Sequence, residues 1–228
     1  MSDASRRAAR GLVIFDCDGV LVDSMAIDVR ELTRALRAIG GRMTAAEVDE
    51  AFHGVALADI ERGVEAHLGG PVPDGWMERF LADRAAAFER ELQPVAGARE
   101  AIAGVRAAGW EACIASGGAL EKMALTLRLT GLQDAFPAER IFSAYGIARP
   151  KPAPDLFLHA ASTCGFGPAD CVVVEDSVAG VSAGRAAAMR TLGFTGGDPT
   201  RAERLAAAGA EPLEDLRSLP MRLTGVSP

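Results

Sequence analysis

Residues 11–19, Gly-Leu-Val-Ile-Phe-Asp16-Cys-Asp18-Gly, constrain the fold more than any other stretch. An unbroken apolar run of strand length reads as a β-strand covered on both faces, since a strand with one wet face would alternate. The run halts on two acids spaced i, i+2, which point to the same side of an extended segment. Asp16 and Asp18 therefore face a common point beyond the strand's carboxyl end, where open α/β sheets bind their ligands. Carboxylates held so close repel unless a cation or a shared proton intervenes, which marks a candidate site for metal-assisted chemistry. Asp and Gly are also ordinary turn formers. This stretch alone leaves both readings open.

The next part of the chain reads differently. Residues 25–39 place Ile27, Leu32, Ala35, Leu36 and Ile39 near one helical face, and Gly40-Gly41 ends that helix. Thr44-Ala-Ala-Glu47 has the capping-box pattern and opens another. Helical patterns continue over 57–68 and 75–92, and no strand-like run falls between about 25 and 92. From residue 98 the rhythm becomes helix 98–108, strand 110–115, helix 119–130, strand 141–143 and helix 155–164. Strand 171–174, helix 178–188, strand 191–194, a last helix at about 200–208, an apolar stretch near Leu213 and a tail complete it. Strands alternating with helices of this length predict right-handed βαβ units, hence an α/β fold with a parallel sheet. An all-helical insert directly after the first strand would sit over the acidic pair.

Bulk properties narrow the function. Hydrophobic content of 49% with 24% charged residues is that of a globular protein. A net charge of −7 without a basic stripe argues against a nucleic-acid partner. Arg6, Arg7 and Arg10 precede an apolar run too short for a signal peptide, and no stretch reaches membrane-spanning length, so a cytoplasmic location is expected. Cys17, Cys113, Cys164 and Cys171 form no C-x-x-C pair and read as reduced, with Cys17 turned away from its acidic neighbours. His53, His67 and His159 lack ligand spacing and read as solvated or satisfied.

Polar groups stand at four strand or loop ends: Asp16/Asp18, Ser116-Gly117-Gly118, Lys151 and Glu175/Asp176. Each has a bland alternative: a turn and cap at Ser116, a solvated loop lysine, a helix cap at Asp176 beside a solvated Glu175. In a parallel sheet the three strand ends share one edge, and the loop carrying Lys151 can reach it. Together they suit phosphoryl transfer. One carboxylate is the nucleophile, and a second acid moves the proton. The remaining acids hold a hard cation, best matched by Mg²⁺. Ser116, the N–H groups of Gly117 and Gly118, and Lys151 receive the phosphoryl oxygens.

These motifs closely resemble those of the haloacid dehalogenase superfamily, in the branch of β-phosphoglucomutases and sugar-phosphate phosphatases. Asp16-Cys-Asp18-Gly19-Val-Leu-Val-Asp23-Ser24 matches the first motif, Ile114-Ala-Ser116 the second, Lys151-Pro-x-Pro-Asp155 the third, and Val174-Glu175-Asp176-Ser177 the fourth. The resemblance implies a Rossmann-like core (residues 1–24 and 93–228) and an inserted helical cap (25–92), with Val20–Asp23 as a flap. It makes Asp16 the nucleophile and Asp18 the general acid/base. Mg²⁺ would take a carboxylate oxygen of Asp16, the backbone carbonyl of Asp18 and the carboxylate of Asp176, with Glu175 supporting the metal's surroundings. Asp18 argues against dehalogenation, which needs no protonated leaving group.

Within that branch, two departures favour a phosphatase over a mutase. The mutase histidine past the flap is replaced by Asp28. The cap arginine that grips a second phosphate falls at Leu57, in Gly54-Val55-Ala56-Leu57. Residues 141–151 and the cap's Gly-Val-x-Leu look like bacterial 6-phosphogluconate phosphatase-type members, which nominates neutral or acidic sugar phosphates. Arg62, Arg79 and Arg84 lie on cap helices and could meet a substrate carboxylate, although a solvated helix face is the commoner place for an arginine. A non-catalytic phospho-acceptor module would also use an acidic cluster and a lysine, but such modules are shorter and lack Asp-x-Asp. The expected partner is a small phosphorylated molecule, with no nucleic acid or membrane, acted on by a monomer or weak dimer.

Overall fold

β1 (Leu12–Phe15) occupies an inner position of a six-stranded parallel sheet, between β2 (Glu111–Ser116) and β4 (Cys171–Glu175). The computed structural model describes residues 9–53, 55 and 57–223. β3 (Ile141–Ser143) pairs outside β2, while β5 (Arg190–Phe194) and β6 (Glu211–Leu213) extend the other side, giving the order β3-β2-β1-β4-β5-β6. Phe15 is opposite both Ile114 and Val174. The strands therefore end nearly level, and the residues that follow them meet at one edge.

Helices cover both faces, as the continuous apolar strands require. α5 (Ala98–Ala107), α6 (Leu120–Leu129) and the short α10 (Leu219–Leu223) pack on the face formed by Val13, Phe15, Ile114 and Val174. α7 (Asp155–Cys164) and α8 (Val178–Ala186) cover Leu12, Ile14, Cys113 and Val173. α9 (Pro199–Ala207) lies against β5 and β6. Phe15 has no exposed surface, and its burial alone contributes roughly 2–3 kcal/mol. Two features were absent from the sequence expectation: the stretch near Leu213 is a sixth strand, and the tail carries α10.

Between β1 and α5 the elements among the described residues are all helices: α1 (Met25–Ala38), α2 (Ala45–Phe52), α3 (Leu57–Leu68) and α4 (Trp76–Glu91). They bury a cluster of their own around Leu32, Leu36, Val48, Val64, Trp76 and Phe80. The Thr44–Glu47 capping box is formed, with Thr44 Oγ1 accepting from the Glu47 backbone and Glu47 accepting from the Thr44 backbone. Trp76 Nε1 donates to the Ala35 carbonyl and ties the last helix of the group to the first. A smaller cluster of Ile27, Ala87, Phe88 and Leu92 meets Leu125 and Leu129 of α6, joining the insert to the sheet-bearing part. No described helix is long and apolar enough to cross a membrane.

Candidate active site

Asp16 continues the β1 ladder, its N–H donating to the Val174 carbonyl at 2.9 Å. Its Oδ1 accepts from Lys151 Nζ at 2.6 Å. The same ammonium donates to Glu175 Oε1 at 2.7 Å and the Ala115 carbonyl at 3.2 Å. Glu175 is held in turn: its Oε2 accepts from the N–H groups of Asp176 and Ser177 and from Ser177 Oγ, each at 2.9 Å. Lys151 is therefore no solvated loop lysine but a buried cation between two carboxylates, the arrangement that makes burial of charge tolerable. Glu175 is 1% exposed and likewise not solvated. Asp176 does not cap α8; Ser177 does, accepting from the Gly180 N–H.

The electrostatics follow from burial. Burial pushes the Asp16 carboxyl up to about 7, against the pull of Lys151, with Glu175 and Asp18 adding to the rise. Asp176 is raised well above the carboxylate range by burial, then by Glu175 and Asp16. Lys151 is disfavoured by burial, but its two carboxylate partners outweigh that and raise its pKa. The cluster around Lys151 thus has more carboxyl groups than that one ammonium can neutralise.

Asp18 lies one turn further, where Gly19 has φ +76° and where a Cβ would overlap the Asp176 carboxylate. Glycine is needed there for both reasons. The N–H groups of Leu21 and Val22 both donate to the Cys17 carbonyl, so residues 17–22 form a tight, buried loop with Cys17 facing the core. Ser24 Oγ donates to Asp18 Oδ1 at 2.6 Å, and Lys122 Nζ stands 2.9 Å from the same oxygen. Burial pushes the Asp18 carboxyl up, but Lys122 and Ser24 outweigh it and leave it lowered.

At the end of β2, Ser116 is 2% exposed, and its Oγ accepts from the Gly118 N–H at 3.3 Å. Ser143 Oγ donates to the Gly118 carbonyl at 2.6 Å and fixes the turn from β3. Ser116, Gly117 and Gly118 share one cavity of about 130 Å³ with Asp16, Asp18, Lys151, Glu175 and Asp176. The insert roofs it with largely apolar side chains, among them Leu32, Phe52, Leu57 and Phe80. Leu57 packs against the insert's own cluster, as a leucine there must; Gly54 and Ala56 lie outside the described residues.

Three cavity residues are placed otherwise than the preferred sequence reading had them, Arg84 by the alternative left open for it. Arg84 is not solvated: it is 13% exposed, stacks over the rings of Phe80 and Phe88, and reaches to 3.7 Å from Asp28 Oδ1. Arg62 and Arg79 do face solvent. Lys122 carried no motif, yet it bridges Asp18 and Asp28. His53 points its Nε2 toward Asp176 Oδ2 at 3.9 Å while Asp49 holds its Nδ1 at 3.2 Å. Helical periodicity put all three on helices, but only tertiary packing turned them inward.

For a divalent cation, the telling atom is Asp176 Oδ2, which is buried and has no hydrogen-bond partner. Such an acceptor is costly to bury unless something positive meets it. No cluster of three His, Cys, Asp or Glu side chains at metal-holding distance occurs among the described residues. The oxygens that could hold one are the Asp16 and Asp176 carboxylates, which line the cavity, with the Asp18 backbone carbonyl that the resemblance nominates. An all-oxygen set this small, open to water, fits Mg²⁺, which keeps several waters when bound.

A family model for haloacid dehalogenase-like hydrolases matches residues 11–188, from the start of β1 to the end of α8. The chain belongs to that family. It is similar to the 6-phosphogluconate phosphatase of Escherichia coli (strain K12), with 33% identity over 80% of this chain and 81% of the relative. It is also similar to hexitol phosphatase B of the same organism, with 31% identity over 78% of this chain and 81% of the relative. Among solved structures, a haloacid dehalogenase-like protein from Agrobacterium tumefaciens superposes with a TM-score of 0.78 and 35% identity, covering 94% of this chain and 97% of that one. The fold and the hydrolase class are thus those of the haloacid dehalogenase-like family.

Proposed function

We propose that the protein is a Mg²⁺-dependent phosphatase that hydrolyses a small phosphorylated metabolite, a sugar phosphate or sugar-acid phosphate, through an aspartyl-phosphate. The observation that carries this reading is the Asp16–Lys151–Glu175 chain of bonds beside Asp18 and the unpartnered oxygen of Asp176. Asp16, Asp176 and the Asp18 carbonyl would hold Mg²⁺, which would supply positive charge to the phosphoryl oxygens and to the crowded carboxylates. Lys151, Ser116 and the N–H groups of Gly117 and Gly118 take the remaining phosphoryl charge.

In the first step an Asp16 carboxylate oxygen bonds to phosphorus and the bond to the alcohol oxygen breaks. Asp18, in the protonated fraction that its lowered pKa leaves, gives that oxygen its proton. In the second, water bonds to phosphorus, passes a proton to Asp18, and the bond to Asp16 breaks. Phosphate leaves and both acids return to their starting state. Residues 25–92 act as a cap: substrate enters when it opens, and closure keeps bulk water from the first step. Leu57 offers no charge to a second phosphate, which favours hydrolysis over mutase chemistry. The sugar-phosphate class is supported by the names of the relatives and by Arg84, which lines the cavity and offers a polar contact to the leaving group.

Phosphate release from p-nitrophenyl phosphate and a panel of sugar and sugar-acid phosphates, with and without Mg²⁺, tests the reading. Asp16→Asn is expected to lose the Mg²⁺-dependent activity altogether. Full activity in that variant would overturn the mechanism.

A further inference from the structure

Asp18 is gripped on one oxygen. Ser24 Oγ and Lys122 Nζ both approach Oδ1, at 2.6 and 2.9 Å. The other oxygen is turned to the Ser116–Gly118 turn, since a Cβ at Gly118 would stand 3.5 Å from Asp18 Oδ2. The Lys122 ammonium does not end there. It stands 2.9 Å from Asp28 Oδ2 and 5.6 Å from the ring centre of Phe88. Lys122 is on α6, in the sheet-bearing part, whereas Asp28 and Phe88 are on α1 and α4 of the insert. Its side chain is 13% exposed, so little water competes for these contacts.

We propose that Lys122 is a positioning residue for Asp18, and that it acts as one half of a Lys122–Asp28 link between the sheet-bearing part and the insert. This rests on the reading of Asp18 as proton donor. A carboxylate turns about two side-chain bonds, and proton transfer demands that one oxygen stay within hydrogen-bond reach of the leaving oxygen. Two donors on Oδ1 leave Oδ2 facing the turn that receives the phosphoryl group. Because the ammonium also needs Asp28, the grip is complete only with the insert seated. Proton delivery is thereby tied to the closed arrangement.

Leaving-group dependence separates this role from simple support of the fold. Phenyl phosphate and p-nitrophenyl phosphate have nearly the same shape, but nitrophenolate departs readily without a proton and phenolate does not. kcat/KM reports the steps up to phosphorylation of Asp16, so later hydrolysis of the phosphoenzyme does not mask the comparison. In Lys122→Met, kcat/KM for phenyl phosphate is expected to fall about 10-fold or more beyond the fall for p-nitrophenyl phosphate, on the scale of general-acid effects. Asp28→Asn should show the same bias more weakly, and Lys122→Arg should recover most of it. Equal losses on both substrates, or none, would overturn the proposal. Should Lys122→Met not fold, as judged by thermal unfolding, Asp28→Asn and Lys122→Arg carry the same comparison. Activity persisting in Asp16→Asn would instead sink the phosphatase reading itself.

Discussion

The α-carbon of Gly180 faces the Glu175 carboxylate so closely that a Cβ there would overlap both of its oxygens. The first turn of α8 is therefore moulded around the group that anchors Lys151. A helix interior ordinarily disfavours glycine, and here the absence of a side chain leaves room for the anchor. Gly180→Ala should destabilise the protein by about 1–3 kcal/mol, the scale of a core overpacking change, despite the better helix propensity of alanine. Urea unfolding measures it; an unchanged or raised midpoint would mean the carboxylate has room to move aside.

Lys151→Met keeps the stem and removes the charge. Asp16 and Glu175 would then share a buried site with no cation between them, and phosphate release should drop by about 100-fold or more. Glu175→Gln keeps the volume and should cost less, since Lys151 retains Asp16. If the two variants lose activity equally, the line from Glu175 through Lys151 to Asp16 is not organised as described.

Metal-free protein should be less stable at neutral pH than at mildly acidic pH. Burial raises the Asp16 carboxyl from 3.8 to about 7, so the folded chain binds more protons than the unfolded chain across that window. Stability then falls as pH rises through it, and the rise at Asp176 acts in the same direction. A melting temperature that declines from pH 5 to pH 8 in chelator, with the decline reduced in Asp16→Asn and offset by Mg²⁺, is the expected pattern. A flat profile without metal would contradict the charge balance of the pocket.

Arg84 is braced by Phe80 and Phe88 with its guanidinium toward the cavity. Arg84→Ala should lower kcat/KM for sugar-acid phosphates roughly 10-fold more than for neutral sugar phosphates, the scale of one charged hydrogen bond. Parallel losses on both groups of substrate would remove Arg84 from substrate discrimination.

Much of the architecture could be read from residue patterns, for physical reasons. β1, β2 and β4 are continuous apolar runs because both their faces are covered, and glycine or capping residues mark most helix ends. The meeting of Asp16, Ser116 and Asp176 at one edge follows from parallel strands ending level. β6 was missed because Glu211-Pro-Leu213 is three residues long, with a proline, at the sheet's edge, where such a residue is tolerated. Arg84, Lys122 and His53 were missed for another reason. Arg84 and Lys122 sit on helices and His53 just past the end of α2, places where a charged residue most often faces water, and the inward direction depends on how the insert's helices dock.

The insert leaves and rejoins the sheet-bearing part at a single seam. Val22 forms an antiparallel bridge with Pro94, Asp23 N–H donates to the Gln93 carbonyl, and Val95 N–H donates to the Leu21 carbonyl. Two chain ends stitched side by side can be spanned by almost any length of polypeptide with little change in closure entropy. The catalytic floor is thus insulated from the history of its roof: the roof can be lengthened, shortened or exchanged while β1 and its acids keep their register. Substrate choice can then diverge in a lineage while the chemistry beneath it stands still.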